Sequence, residues 1–323
     1  MRAAAVVLRV VSLAVFTFAA VAALGARPAR AFEDFEGTRA LGMGGATRAW
    51  ALGDSALLLN PSGMSIAKIY NLEAAYGYGS RASENLFHAS IVDSTSASTL
   101  AGGVYYTYRL DEPAQISGHS HEVGAALSLP FSQFLALGAT LKWFRFEGAD
   151  DAPTAPAGTP ATTSSGLTFD VGTTVRPTEN LSFAVVGANL VDRHHGQAPR
   201  AIGYGAAFLP LHDLVIALDG LTTLTRDDLT GARGTGVRAG VEVALAQRVA
   251  LRAGGGTDPA AGAGYLSLGA SLLSEMGAID VGARGDLFPY GTGSARNVFL
   301  GISLRLFVPA AVASAAAGSG QSP

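Results

Sequence analysis

The chain contains no cysteine, which excludes disulfides, thiolate metal sites and lipid anchoring on an N-terminal cysteine. Charge is scarce: 15% of its residues are Asp, Glu, Lys or Arg, against about 25% in soluble domains. Lys68 and Lys142 are the only lysines, and the formal charge of −3 gives no electrostatic reason to bind nucleic acid. After residue 31 no apolar run is long enough to cross a bilayer as a helix. Catalytic signatures are missing too. There is no Gly-x-Ser-x-Gly elbow and no His-Glu-x-x-His. Gly254, Gly255 and Gly256 follow a strand pattern, but without the Lys-Ser/Thr and helix that a phosphate loop needs. The carboxylates are scattered and form no evident acid–base pair, so neither an enzyme nor a cofactor is expected.

What remains is rich in glycine (41 residues) and 49% hydrophobic. Residues 1–31 carry Arg2, a mostly apolar stretch from Ala3 to Leu24 and the small-residue site Ala29-Arg30-Ala31. This reads as a secretory signal peptide cleaved after Ala31, with a retained membrane anchor as the alternative. Cleavage removes Arg2, Arg9, Arg27 and Arg30 from the 22 cations, leaving 18 against 25 carboxylates and a charge of −7. Membrane residence would then require a β-barrel, the other backbone arrangement that satisfies every N–H and C=O in lipid.

Residues 32–69 do not alternate as a strand does. Gly42, Gly44, Gly45 and Ala46 keep the backbone thin, which allows close approach to a wall. Asp54 is placed to cap a short helix over Ser55–Asn60, Pro61 ends it, and Gly63 permits a turn. Such a helix is too short to persist alone in water, and Leu57-Leu58-Leu59 need a surface to pack on. A bland flexible leader is the competing reading, but linkers rarely carry such a run. The stretch Gly37–Ala46, with Asp54 and Asn60-Pro61-Ser62-Gly63, resembles the N-terminal region of the FadL/PorV superfamily of outer-membrane barrels. That resemblance implies a plug lying inside a barrel. Ser62-Gly63-Met64 stands where the family has Ala-Gly-Leu, a conservative departure.

From Tyr70 onward the hydrophobic period is two. The pattern predicts an all-β fold: an antiparallel transmembrane barrel of about 14 strands over residues 70–307, with the plug before it and an Ala/Ser/Gly-rich tail over 308–323. A β-sandwich alternates similarly, but two features favour the barrel. Long and short connections tend to alternate, as external loops and periplasmic turns do. In addition, Glu73, Lys142, Asp170, Arg176, Asp219, Arg238, Glu242, Arg252, Asp280, Arg284 and Arg305 all fall on the face opposite the aliphatic one. Facing lipid, each Arg or Lys would cost about 2–4 kcal/mol at mid-depth, so these side chains are expected in the lumen. A lumen of this strand number is too wide for side chains alone to fill.

His194 and His195 beside Asp192 read as a solvated loop, and His119 and His121 as a pair on the lumen rim, rather than as metal ligands. No metal site is expected. Tyr76, Tyr78, Tyr105, Tyr106, Tyr108, Trp143, Phe144, Phe146 and Tyr204 read as an interfacial girdle, with some turned inward alongside Phe299 and Phe307. Two functions are carried forward. One is FadL-like passive transport of hydrophobic small molecules, with strand interruptions at Gly102-Gly103 or Gly254–Gly256 marking a path. The other is a PorV-like scaffold that binds a secreted protein without transporting anything. The partners expected are outer-membrane lipid, and either a hydrophobic ligand or that secreted protein. Fold does not decide between them.

Overall fold

The computed structural model describes residues 35–80, 83–97, 99–111, 118–148, 162–191, 198–224, 234–259, 262–289 and 297–308. The proposed leader (1–31), the Asp192/His194/His195 loop and residues 309–323 of the tail lie outside the described residues.

Fourteen strands form one closed antiparallel barrel. They are β1 (Tyr70–Gly79), β2 (Glu84–Asp93), β3 (Ala101–Asp111), β4 (Gly118–Pro130), β5 (Leu135–Gly148), β6 (Thr162–Thr178) and β7 (Leu181–Ala188), followed by β8 (Ala201–Leu211), β9 (Leu214–Thr223), β10 (Thr235–Leu245), β11 (Val249–Asp258), β12 (Ala263–Ser274), β13 (Gly277–Pro289) and β14 (Val298–Phe307). Each strand pairs with its sequence neighbour, and β14 returns to β1 with Leu72 opposite Leu306 and Gly77 opposite Gly301. Closure leaves no open edge. Tight turns gather at one end, as between Thr178 and Leu181, Leu211 and Leu214, and Ser274 and Gly277. At Leu245–Val249 the turn is made with positive φ at Ala246 and Gln247, the local backbone that matches strand twist.

The alternation has one sense around the barrel. On β14, Val298, Leu300, Ile302, Leu304 and Leu306 point outward and are about half exposed, whereas Phe299 and Ser303 are buried at 3%. An apolar belt of this extent suits lipid rather than water. β7 stops at Ala188, short of the Val191 that hydrophobic alternation suggests. Asn189 adopts φ 51° and donates its N–H to Asp170 Oδ1 at 2.7 Å, which turns the chain out of the sheet.

The segment before β1 fills the lumen. It comprises a helix over Thr38–Gly42, a 3-10 turn over Arg48–Trp50, a helix over Asp54–Leu59 and a second 3-10 turn over Pro61–Ser65. Met43, Ala46, Ala49, Leu57 and Met64 are all but inaccessible. They pack against small inward residues of the wall, Leu57 and Met64 with Val92 and Ala126, Met43 and Ala46 with Ala184 and Ala217. These helices gain their stability from the wall, not from their own length.

Candidate functional site: the plugged lumen

Two kinds of contact seat the plug. The first is neutral and close. Asn60 is fully buried, and its Nδ2 donates to Arg48 C=O at 2.9 Å and to Thr174 Oγ1 at 2.8 Å. Its Oδ1 accepts from Ser62 N–H at 3.3 Å and Ser62 Oγ at 2.7 Å. Pro61 opens the 3-10 turn, where its missing N–H costs nothing. Beneath it the wall presents glycine. A Cβ on Gly138 would stand 2.3 Å from Ser62 N, and one on Gly172 2.2 Å from Asn60 Oδ1. The wall glycines Gly240, Gly254, Gly269 and Gly282 do the same for the backbone around Met43 and Gly42.

The second seat is charged. Arg39 forks onto Glu242 with contacts of 2.8 and 2.9 Å. Glu242 also accepts from Arg252 Nε at 2.5 Å, and Arg252 continues to Asp280 at 3.3 Å. Asp280 takes both Nε and Nη2 of Arg305, at 2.8 and 2.9 Å. A separate chain runs from Arg238 to Glu36, from Glu36 to Arg48 at 3.0 Å, and from Arg48 to Asp219 at 3.3 Å. Glu36, Arg39 and Arg48 belong to the plug, and the rest to the wall. Burial alone would raise the Glu36 carboxyl pKa, but the charges of Arg238 and Arg48 outweigh it and hold the group below its ordinary range.

The other sequence-selected residues take the following places. Gly42 lies against Gly269, and Gly44 (φ +65°) against Gly255, with its carbonyl accepting from Tyr265 Oη at 2.8 Å. Gly45 (φ +75°) faces Arg238 and Glu36. Lys142 pairs with Asp170 at 2.8 Å, and Arg284 pairs with Asp258 at 2.9 Å while lying over the Tyr265 ring. Arg176 lies 5.2 Å from the centre of the Trp50 ring, near the tight-turn end.

Four readings of the sequence are corrected. Asp54 does not cap its helix. Gly53 (φ 58°) holds the cap position, and Asp54 accepts from Asn71 Nδ2 on β1 at 2.8 Å instead. Gly63 is required by crowding rather than by chain reversal, since its Cβ would meet Ala51 O at 2.1 Å. His119 and His121 point outward, not to the lumen rim, because they share a face with the exposed Val123 and pack on Tyr108. Gly254–Gly256 does not interrupt the wall, as β11 pairs continuously with β12 from Val249 to Asp258. Among the girdle candidates, Tyr105, Phe144 and Phe146 are buried in the lumen, while Tyr76, Tyr106, Trp143 and Tyr204 face out.

Above the plug, toward the longer connections, a cavity of about 110 Å³ remains. Phe35, Glu36, Arg48 and Leu58 of the plug border it from below, and Tyr105, Lys142, Phe144, Asp170, Val186 and Leu221 are among the wall residues around it. Sequence reasoning did not foresee this cavity, because its lining comes from strands β3 to β9 and no local motif encodes it.

No protein-family model matches the chain, and no curated protein matches it. Solved structures do. The CymD monoaromatic hydrocarbon channel superposes with a TM-score of 0.62 at 12% identity, covering 84% of this chain and 99% of that one. A Pseudomonas aeruginosa FadL homologue gives 0.57 at 12% identity, over 84% and 97%. The fold is that of the FadL-type barrels. The P. putida toluene transporter TodX agrees, with a TM-score of 0.55 at 11% identity over 83% and 98%. At these identities the likeness is one of fold. The barrel, FadL-type in fold, is plugged by its own N-terminal residues, and a cavity of about 110 Å³ stands on one side of the plug.

Proposed function

We propose that this protein is a passive outer-membrane channel for hydrophobic small molecules, exported by residues 1–31 and mature from Phe32. The observation that carries the reading is the cavity of about 110 Å³, part aromatic and part polar, bordered from below by the plug inside a FadL-type barrel. The named functions of the fold neighbours, a monoaromatic hydrocarbon channel and a toluene transporter, support it. In this reading Gly42, Gly44, Gly45, Asp54, Asn60, Pro61 and Gly63 hold the plug in place. Of the inward charges, Asp219, Arg238 and Glu242 pair with the plug, Lys142 pairs with Asp170, Arg252 and Arg305 with Asp280, and Arg284 with Asp258, while Arg176 lies against Trp50. In this reading passage requires part of the plug to shift, because its residues lie packed across the lumen against the wall. Lipid surrounds the outward belt.

The test is uptake of labelled monoaromatic solutes at micromolar concentration by Gram-negative cells with and without the protein. Uptake several-fold faster with the protein supports the channel. Equal uptake, with a secreted protein co-purifying stoichiometrically, replaces it with a scaffold.

A further inference from the structure

The cavity over the plug carries a chemical preference. We infer that its ligand is a small, neutral aromatic molecule bearing a hydrogen-bond donor, the size of a cresol, and that carboxylate ligands are rejected. The inference rests on the channel reading and names its substrate class.

Size sets the first limit. An engineered apolar cavity of about 150 Å³ takes one benzene; a space of about 110 Å³ that is not sealed admits one ring, whose substituents can project toward the longer connections. The rings of Phe35, Tyr105 and Phe144 stand at its border and offer aromatic faces and edges.

Charge sets the second limit. Among the described residues, each cation at the cavity is already engaged by a carboxyl group. Lys142 meets Asp170 at 2.8 Å, Arg48 meets Glu36 at 3.0 Å and Asp219 at 3.3 Å, and Arg109 meets Glu84 at 2.8 Å. With Arg238 on Glu36, and with Glu122 added, four cations face five carboxyl groups. An entering carboxylate would have to displace one of these groups or stand buried among like charges, and both oppose binding.

Hydrogen bonding sets the third. Glu122 borders the cavity and accepts from Tyr105 Oη. A carboxylate has about four lone-pair sites, so Glu122 can also accept a hydroxyl from a ligand whose ring lies against Tyr105 and Phe144. A pure hydrocarbon fills the same space but leaves that acceptor unused.

Equilibrium dialysis tests the inference, using the full mature chain in lipid nanodiscs with p-cresol, p-xylene and p-toluate at pH 7 and empty nanodiscs subtracted. The expected result is p-cresol bound about tenfold more tightly than p-toluate and more tightly than p-xylene. Val186→Phe, which fills the cavity, should abolish the specific binding, and Glu122→Gln should narrow the margin of p-cresol over p-toluate. Binding of p-toluate equal to or tighter than that of p-cresol, or of p-xylene above p-cresol, overturns the inference and leaves the channel reading standing. Retained p-cresol binding in Val186→Phe moves the ligand elsewhere and overturns the assignment. No binding of any of the three overturns both.

Discussion

The plug is held on its two sides by different physics. Against β4–β6 the seat is neutral: Asn60, Ser62 and Thr174 exchange short hydrogen bonds while Gly138 and Gly172 give up their side chains to let the backbone in. Against β9–β14 the glycine-lined approach recurs at Gly240, Gly254, Gly269 and Gly282, and an ionic seat is added to it, with Glu36, Arg39 and Arg48 threaded into two chains of wall charges. A close-packed neutral seat is fixed by shape and is indifferent to pH and salt. A buried ionic seat is costly to break by removing one partner, yet an apolar replacement of the whole network would serve stability as well. The contrast suggests that the neutral side positions the plug, while the ionic side is the one able to release it.

The largest effect should come from removing both seats together. Deleting residues 32–60 is expected to leave a folded barrel with a large, stable conductance in planar bilayers, whereas the intact chain conducts little, because a fourteen-strand lumen without its plug is wide. Next comes the ionic seat alone. Glu242→Ala leaves Arg39 and Arg252 without their shared carboxylate and should weaken plug docking by about 3 kcal/mol. It should be read as frequent channel openings with the barrel's heat resistance nearly unchanged. The neutral seat should yield less. Gly138→Ala pushes a methyl into Ser62 N and should cost about 1–3 kcal/mol of overpacking, while Gly285→Ala, with nothing within 4 Å of its Cβ, should be silent. Openings in both variants, or in neither, would erase the distinction.

The smallest effect is that of pH. Glu36 is held below its ordinary value of about 4.5 by Arg238 and Arg48, against the opposing pull of burial. A carboxylate with a depressed folded pKa stabilises docking fully above the unfolded value and loses that contribution as pH falls through the folded one. The Glu36 contribution to docking should therefore be complete at neutral pH and be lost, as more frequent openings, only when pH falls below the ordinary carboxylate range. A rise already at pH 6 would place the controlling group elsewhere.

Much of this was legible in the sequence, for a physical reason. In a barrel every strand faces lipid on one side and a polar interior on the other, so period-two alternation is strong. β1, β10 and β14 can be read to the residue from Tyr70–Gly79, Thr235–Leu245 and Val298–Phe307. Strand ends set by one residue's backbone, such as Asn189 at β7, are not visible to alternation. The outward turn of His119 and His121 was missed because a polar residue at a strand end suits either face, and only the parity with Val123 decides it. The thin plug backbone could be read from Gly42–Gly45, but its counterpart in the wall was overlooked. The signal was present: Gly138, Gly172, Gly240, Gly254, Gly269, Gly282 and Gly301 sit mid-strand at inward positions, which reserves space for another backbone. The ion pairs were out of reach, since Arg39 and Glu242 are 203 residues apart and only barrel closure brings them together.

The central claim, that the plug is docked on the inner wall at β6, is tested most directly by one cross-link. Ser62 Oγ and Thr174 Oγ1 lie 2.7 Å apart, close to the roughly 2.0 Å of a disulfide bond, and the chain has no cysteine to compete. With Ser62→Cys and Thr174→Cys combined, mild oxidation of intact membranes should give near-complete intramolecular cross-linking, visible as a mobility shift that reductant reverses. Free thiols at both positions under the same oxidation, with each readily labelled by a water-soluble maleimide, would contradict the docking and with it the plugged barrel.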